Sequence, residues 1–517
     1  MKPQKPPSIK EPAVLILGLA LSILSAAICM QIMGQFGTTP NTSLIGVALV
    51  IIIARIPLAV AQKFRDAERQ NYVLSITSAA GFTAANCGFI AVATMIMMGR
   101  NDLIIPISIG ALIGSMITVF VTGKLFDSKI FPAKGAWPMG QAVATAIQAG
   151  EAGGEKGLHL LQGLAVGAAA GFFGIPAAGV GIAFIANSFT IAALGAGMIL
   201  RGFSTQIFAG FDIGGSNIAQ GAMIGAGIVA LIQIALALLK SNKKKTEEQD
   251  FTVPDVRAFR WMGGFALLYM GGAVALALIT IQFDGMAMSL GQTVLWVAFS
   301  GIAAVVVLVL VGTSAMHSGW APNFAVVTIF LTLGVLIGFP PVPLAVLVGY
   351  IGCVGLCLSD TGIGLKTGWI IRGKGADPAR EARGRRQQVI IKQLGVLIGI
   401  LVALISASLL IDGGITPPMS IFYASAVEMT AQPELVTELM LWAIPGAALQ
   451  LAFGSKSVGL MLAAGLLINN GLYGIVLLAA IGLKLIIGTK HMTIRGSGLI
   501  AGDGLFGFAA NLLRAFF

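Results

Sequence analysis

The chain has 517 residues, of which 57% are hydrophobic and only 10% charged, and its mean hydropathy is +0.92. A soluble domain carries roughly 25% charge, so this composition excludes one and implies an all-α polytopic membrane protein. The net charge of +11 would suit a nucleic-acid binder, but the basic residues fall in short clusters between apolar runs, which is the positive-inside pattern and excludes that class.

Apolar runs of about 17 residues or more read as spans, oriented by the lysines and arginines of short loops. Lys2, Lys5 and Lys10 place the N-terminus in the cytoplasm, and the run Ala13 to Met33 stays in the membrane. Spans at 13–33 and 43–61 return the chain to Lys63, Arg65 and Arg69; spans at 71–98 and 103–122 return it to Lys124, Lys129 and Lys134. A short segment at 137–149 and spans at 158–177, 180–200 and 216–239 lead to the lysines at 240 and 243–245, and parity makes the short segment cross as well. Residues 1–240 thus read as an N-terminal membrane half, and the polar stretch 241–257 as a cytoplasmic linker.

Residues 258–517 read as a C-terminal half, with spans at 259–280, 290–312, 320–338 and 341–358 before a basic cytoplasmic loop at 359–388. Spans at 389–411, 435–452, 457–469 and 471–487 follow, and 417–430 and 496–513 read as re-entrant or broken helices. The total is about 16 transmembrane helices, within a range of roughly 14–16. Even halves would be parallel repeats with a substrate between them. GSNIAQGAMIG at 215–225 resembles GSGLIAGDGLFG at 496–507 with one gap. Glycine is 68 of 517, and GALIG (110–114), GLAVG (163–167), GAMIG (221–225) and GVLIG (334–338 and 395–399) have the small-xxx-small spacing of closely packed membrane helices.

Asp503 is the leading functional candidate, because an ionisable residue between Gly502 and Gly504 in an apolar segment is costly to keep. It is expected to couple substrate movement to protons, with Glu428 second; the structural alternative is a helix cap. Trp137, Pro138, Gly140 and Gln141 open a short helix whose start would attract a carboxylate. Glu151, one helical turn from Glu155, suits an amine or a proton, or a solvated loop. Arg201 is a candidate partner for a carboxylate, and Asp212 opens a glycine-rich break suited to a cavity wall. Asn187 reads as a packing contact inside a span, and Asn469 and Asn470 as a turn.

Cys29, Cys87, Cys353 and Cys357 lie in apolar runs with no histidine near the last two, so they read as buried thiols; neither a metal site nor a cofactor is expected.

Four stretches resemble, in order, motifs of the oligopeptide transporter family, including its yellow-stripe branch and shorter prokaryotic members. They are ERQNYVLSITSAAG (68–81), WPMGQAVATAIQAGEAGG (137–154), GLKTGWIIRG (364–373) and GSGLIAGDGLFG (496–507). The first looks like the family's E-x-N segment opening a span, with Glu68 and Asn71 here separated by two residues. The chain departs from the pattern at Asp360, which TGIGL separates from Lys366, and at Phe506, where the family has tryptophan. The resemblance implies a proton-coupled carrier in the cell membrane. Its partners would be protons, the lipid bilayer and small peptides, glutathione-like compounds or metal chelates, and a homodimer is compatible with it. A passive channel and an intramembrane enzyme are the competing classes. No H-E-x-x-H, G-x-S-x-G or Walker A pattern occurs, so no enzyme is expected.

Overall fold

In the computed structural model the described residues are 7–36, 39, 62–152, 154–185, 187–241, 252–283, 287–319, 321–428, 433–453, 458–466, 468–488, 492, 494–496, 498–500, 502–503, 506 and 510. They form an all-α polytopic membrane protein without a β-strand among them. The helices are α1 (Pro12–Phe36), α2 (Ala67–Met97), α3 (Ile104–Leu125), α4 (Pro138–Ala152), α5 (Gly154–Phe172), α6 (Ala177–Ile185), α7 (Ser188–Gly202) and α8 (Ile218–Ser241). There follow α9 (Asp255–Ile281), α10 (Leu290–Ser318), α11 (Asn323–Ile337), α12 (Pro341–Ile371) and α13 (Pro378–Asp412). The last are α14 (Pro418–Glu428), α15 (Pro433–Phe453), α16 (Val458–Leu466) and α17 (Gly471–Ile487).

Local chemistry sets these limits. Asp66 accepts the Arg69 amide at the start of α2, and Ser289 and Gln292 form a reciprocal cap on α10. Gly319 and Gly338 end α10 and α11 in the left-handed conformation at φ 78° and 88°. Gly338, expected as part of a packing motif, therefore serves as a helix stop. Proline at the first turn starts α12 and α13.

Among the described residues, seven helices are long and apolar enough to cross a membrane, fewer than the sixteen spans expected of the whole chain. Part of the difference is physical. Helix α4 has 15 residues, roughly 22 Å at 1.5 Å per residue, which is short of a ~30 Å hydrocarbon core. Parity at 137–149 is therefore not met by a full crossing of α4. The expected span 180–200 is two helices, because Asn187 caps α7 by accepting the Phe189 amide at 2.9 Å; it is a cap and not a mid-span contact. The span expected at 43–61 lies outside the described residues.

The largest correction concerns 359–388, expected as a loop. Helix α12 runs on to Ile371 and α13 begins at Pro378, leaving only residues 372–377 as a turn, with Gly373, Lys374 and Gly375 at positive φ. Lys374, Arg380, Arg383 and Arg386 there are exposed, yet Lys366 and Arg372 are buried. Their charges are met inside the protein.

Two packing groups result, each drawing on both sequence halves. In one, α12 is the hub, touching α2, α3, α4, α10, α11 and α13, while α1 packs on α2 and α13. In the other, α6, α7 and α8 pack against α15, α16 and α17. There the contacts are backbone to backbone. A Cβ on Gly225 would come within 2.6 Å of the Ala443 carbonyl carbon, and one on Gly446 within 2.7 Å of that of Ala222.

Candidate functional site

Helix α2 is regular from Ala67 to Thr83 and then widens into a π turn over Ala84–Phe89. Such turns are frequent at functional sites. This one turns Asn86 and Cys87 towards a cavity of about 700 Å³, well within the size range of small-molecule sites. The opposite wall is α12, from Val348 to Ile363. Met139 of α4, Ala178 of α6, Asn323 of α11, Met419 of α14 and Tyr473 of α17 also line it, each close to the start of its helix. Most of the lining is apolar or aromatic, with asparagine amides at Asn86, Asn323, Asn469 and Asn470. Both sequence halves contribute.

Among the described lining residues the one ionisable carboxylate is Asp360. It is met from two further helices: Lys392 of α13 donates to Oδ2, and the Ser78 hydroxyl of α2 donates to Oδ1. Lys392 is 0% exposed and the Asp360 side chain 7%. Gly364 makes room for the lysine, since a Cβ there would lie 2.6 Å from its Cε. Removing either ion from water costs several kcal/mol, recovered only through the partner and further hydrogen bonds. Such a pair is kept in a membrane interior at a cost, and the default reading is functional.

The residues singled out in the sequence are dispersed. Asp503 does not line the cavity; it accepts the Ala178 amide at 2.8 Å, holding the start of α6, whose Ala178 and Ile182 do line it. Gly502 packs on α5, where a Cβ would lie 2.8 Å from the Ala168 nitrogen. Gly504 lies outside the described residues, as do the side chains of Glu151, Glu155 and Glu428. Trp137 is buried away from the cavity, its indole N–H donating to the Pro132 carbonyl at 3.1 Å. Its neighbour Gln141 donates to the Ala136 carbonyl at 2.5 Å. Pro138 begins α4, and Gly140 lets that helix approach α12, its carbonyl accepting from Thr367. Expected as ligands for a carboxylate, Trp137 and Gln141 are instead engaged with their own loop.

Arg201 and Asp212 find each other at 2.7 Å, away from the cavity, with Asp212 half exposed. The Gly214 amide, then the Arg201 charge and the Ser204 hydroxyl, hold the Asp212 carboxyl below its ordinary range. Asn470 caps α17 by accepting the Tyr473 amide at 2.9 Å. The four cysteines are buried free thiols, with Cys87 and Cys357 sulfurs 3.8 Å apart.

Lys392 and Ser78 were not singled out in the sequence, and Asp360 appeared there only as a departure from a motif. A signal existed. Glu68, Asn71, Ser75 and Ser78 recur at three- and four-residue steps, a polar stripe along one face of the helix.

No curated protein and no solved structure matches the chain. Residues 12–242, the segment from the start of α1 to the end of α8, match the family model described as OPT oligopeptide transporter protein.

Proposed function

We propose that the whole chain is a carrier of this family, a secondary active transporter that takes up small peptides or peptide-like solutes with protons by alternating access. The observation that carries the reading is the cavity enclosed by both sequence halves, with the Asp360–Lys392 pair at its edge. The match over residues 12–242 supports it. In this reading the protein sits in the cell membrane with its N-terminus in the cytoplasm, and the two halves are parallel repeats.

Asp360 is the coupling residue of this reading: loss of its charge leaves Lys392 buried without a counter-ion, a state costly enough to drive rearrangement of α2, α12 and α13. Asp503 supports the cavity by placing α6. The test is uptake of a labelled panel of short peptides into proteoliposomes under an imposed proton gradient. The parent and Asp503→Asn accumulate a member of the panel, whereas Asp360→Asn exchanges it without accumulation. Accumulation by Asp360→Asn equal to the parent's removes Asp360 from coupling, and loss in Asp503→Asn alone moves the role there.

A further inference from the structure

The Asp360–Lys392 pair is the innermost part of a longer feature. From it towards the start of α2 and the turn at 372–377, three helices present polar stripes at helical spacing to one seam. Helix α2 gives Glu68, Asn71, Ser75 and Ser78; α12 gives Asp360 and, at its end, Arg372; α13 gives Glu381, Gln388 and Lys392. The groups bond in layers. Gln388 donates to the Gly364 carbonyl at 2.8 Å and to Ser75 at 3.3 Å, and accepts from Arg372 at 2.7 Å. Arg372 grips both oxygens of Glu381, at 2.7 and 3.1 Å. Outermost, Arg380 donates to Glu68 at 3.3 Å, its side chain 45% exposed. Beyond Ser78 the same helix reaches the cavity wall with Phe82 and Asn86.

A second observation separates this seam from a purely structural network. Asn71 is 1% exposed, and neither its Oδ1 nor its Nδ2 has a hydrogen-bond partner among the described residues. Each such group costs about 1–3 kcal/mol. A leucine at 71 would avoid that cost. Polar atoms orphaned in one conformation and kept there are explained by another conformation in which water reaches them.

We infer that the seam among α2, α12 and α13 is a water-access path from the helix-end surface to Asp360, closed in this conformation by its own side chains. The inference rests on the carrier reading for its purpose, though not for its test. Asn71→Cys, Ser75→Cys and the control Ser300→Cys are each reconstituted and treated with a small charged methanethiosulfonate. Ser300 is as buried and donates to the Trp296 carbonyl as Ser75 does to that of Asn71, but it lies off the seam. Brief opening exposes the path, so the two seam cysteines react at least about tenfold faster than the control. Equal rates at all three positions overturn the path. If a seam variant does not fold, Asn71→Leu decides: it melts at or above the parent if Asn71 is an orphan kept for access, and below it if Asn71 is a structural contact. Seam labelling without peptide accumulation by the parent sinks the carrier reading and keeps the path; accumulation without labelling does the reverse.

Discussion

The seam of α2, α12 and α13 and the group formed by α7, α8 and α15–α17 solve the same packing problem in opposite ways. In the second, glycines let backbones touch: Gly197 and Gly465 face each other, and a Cβ on either would lie 2.9 Å from the other's Cα. Close approach gains dispersion and leaves no charge to satisfy. The seam also uses glycines, with Gly395 and Gly399 against the backbone of α2, but fills the remaining space with ions and amides. Small residues give one tight arrangement. A buried charge pair gives an arrangement in which loss of either member strands the other. The difference teaches that one interface is held by shape alone and the other by matched charges.

The comparison is broken most severely at Lys392. Lys392→Met strands Asp360 without its cation, and loss of one member of a buried pair costs about 3–5 kcal/mol. Thermal melting of the purified protein should show a large fall, and adding Asp360→Asn should recover most of it. If the double variant is no more stable than the single, the lysine acts through packing, and the seam resembles the glycine group after all. Next in size is Gly446→Val, which drives a side chain into the backbone of α8 at Ala222. Overpacking of this kind costs about 1–3 kcal/mol. Neither a substitution of charge nor Ala222→Gly should rescue it, because the atoms it meets are the Ala222 backbone; full stability of Gly446→Val would show that the helices can part without cost.

The smallest effect is at the outer end of α2, where Arg69 donates to Glu11 at 2.8 Å across to the segment before α1. The Arg69 hydrogen bond holds the Glu11 carboxyl below its ordinary value of 4.5, aided by the Ser8 amide. A lowered folded value means that the stabilisation is present above about 4.5 and disappears as the pH falls through the folded value. Melting curves of the parent and Glu11→Gln should therefore differ by well under ~1 kcal/mol at neutral pH and converge in acid. A gap that widens in acid would contradict the pairing.

Membership of the membrane class and the positions of most helices were legible in the chain because apolar runs, caps and proline starts act locally. Helices α9 and α15 fall close to their expected limits, and α10 starts where expected but runs on to Ser318. The basic stretch 359–388 misled because hydropathy counts a lysine as solvated wherever it stands, and Lys366 instead donates to the Ala133 and Gly135 carbonyls inside the protein. Asp503 was conspicuous for its glycines, yet its oxygen serves the Ala178 amide.

What the sequence by itself determined is an all-α membrane chain with polar stripes on helices that must be buried, because the bilayer leaves no other place for either. Only the tertiary structure decided that Asp360 meets Lys392 32 residues on and Ser78 282 residues back. Hydropathy is a property of neighbours along the chain, and the pairing of charges is a property of which helix faces meet.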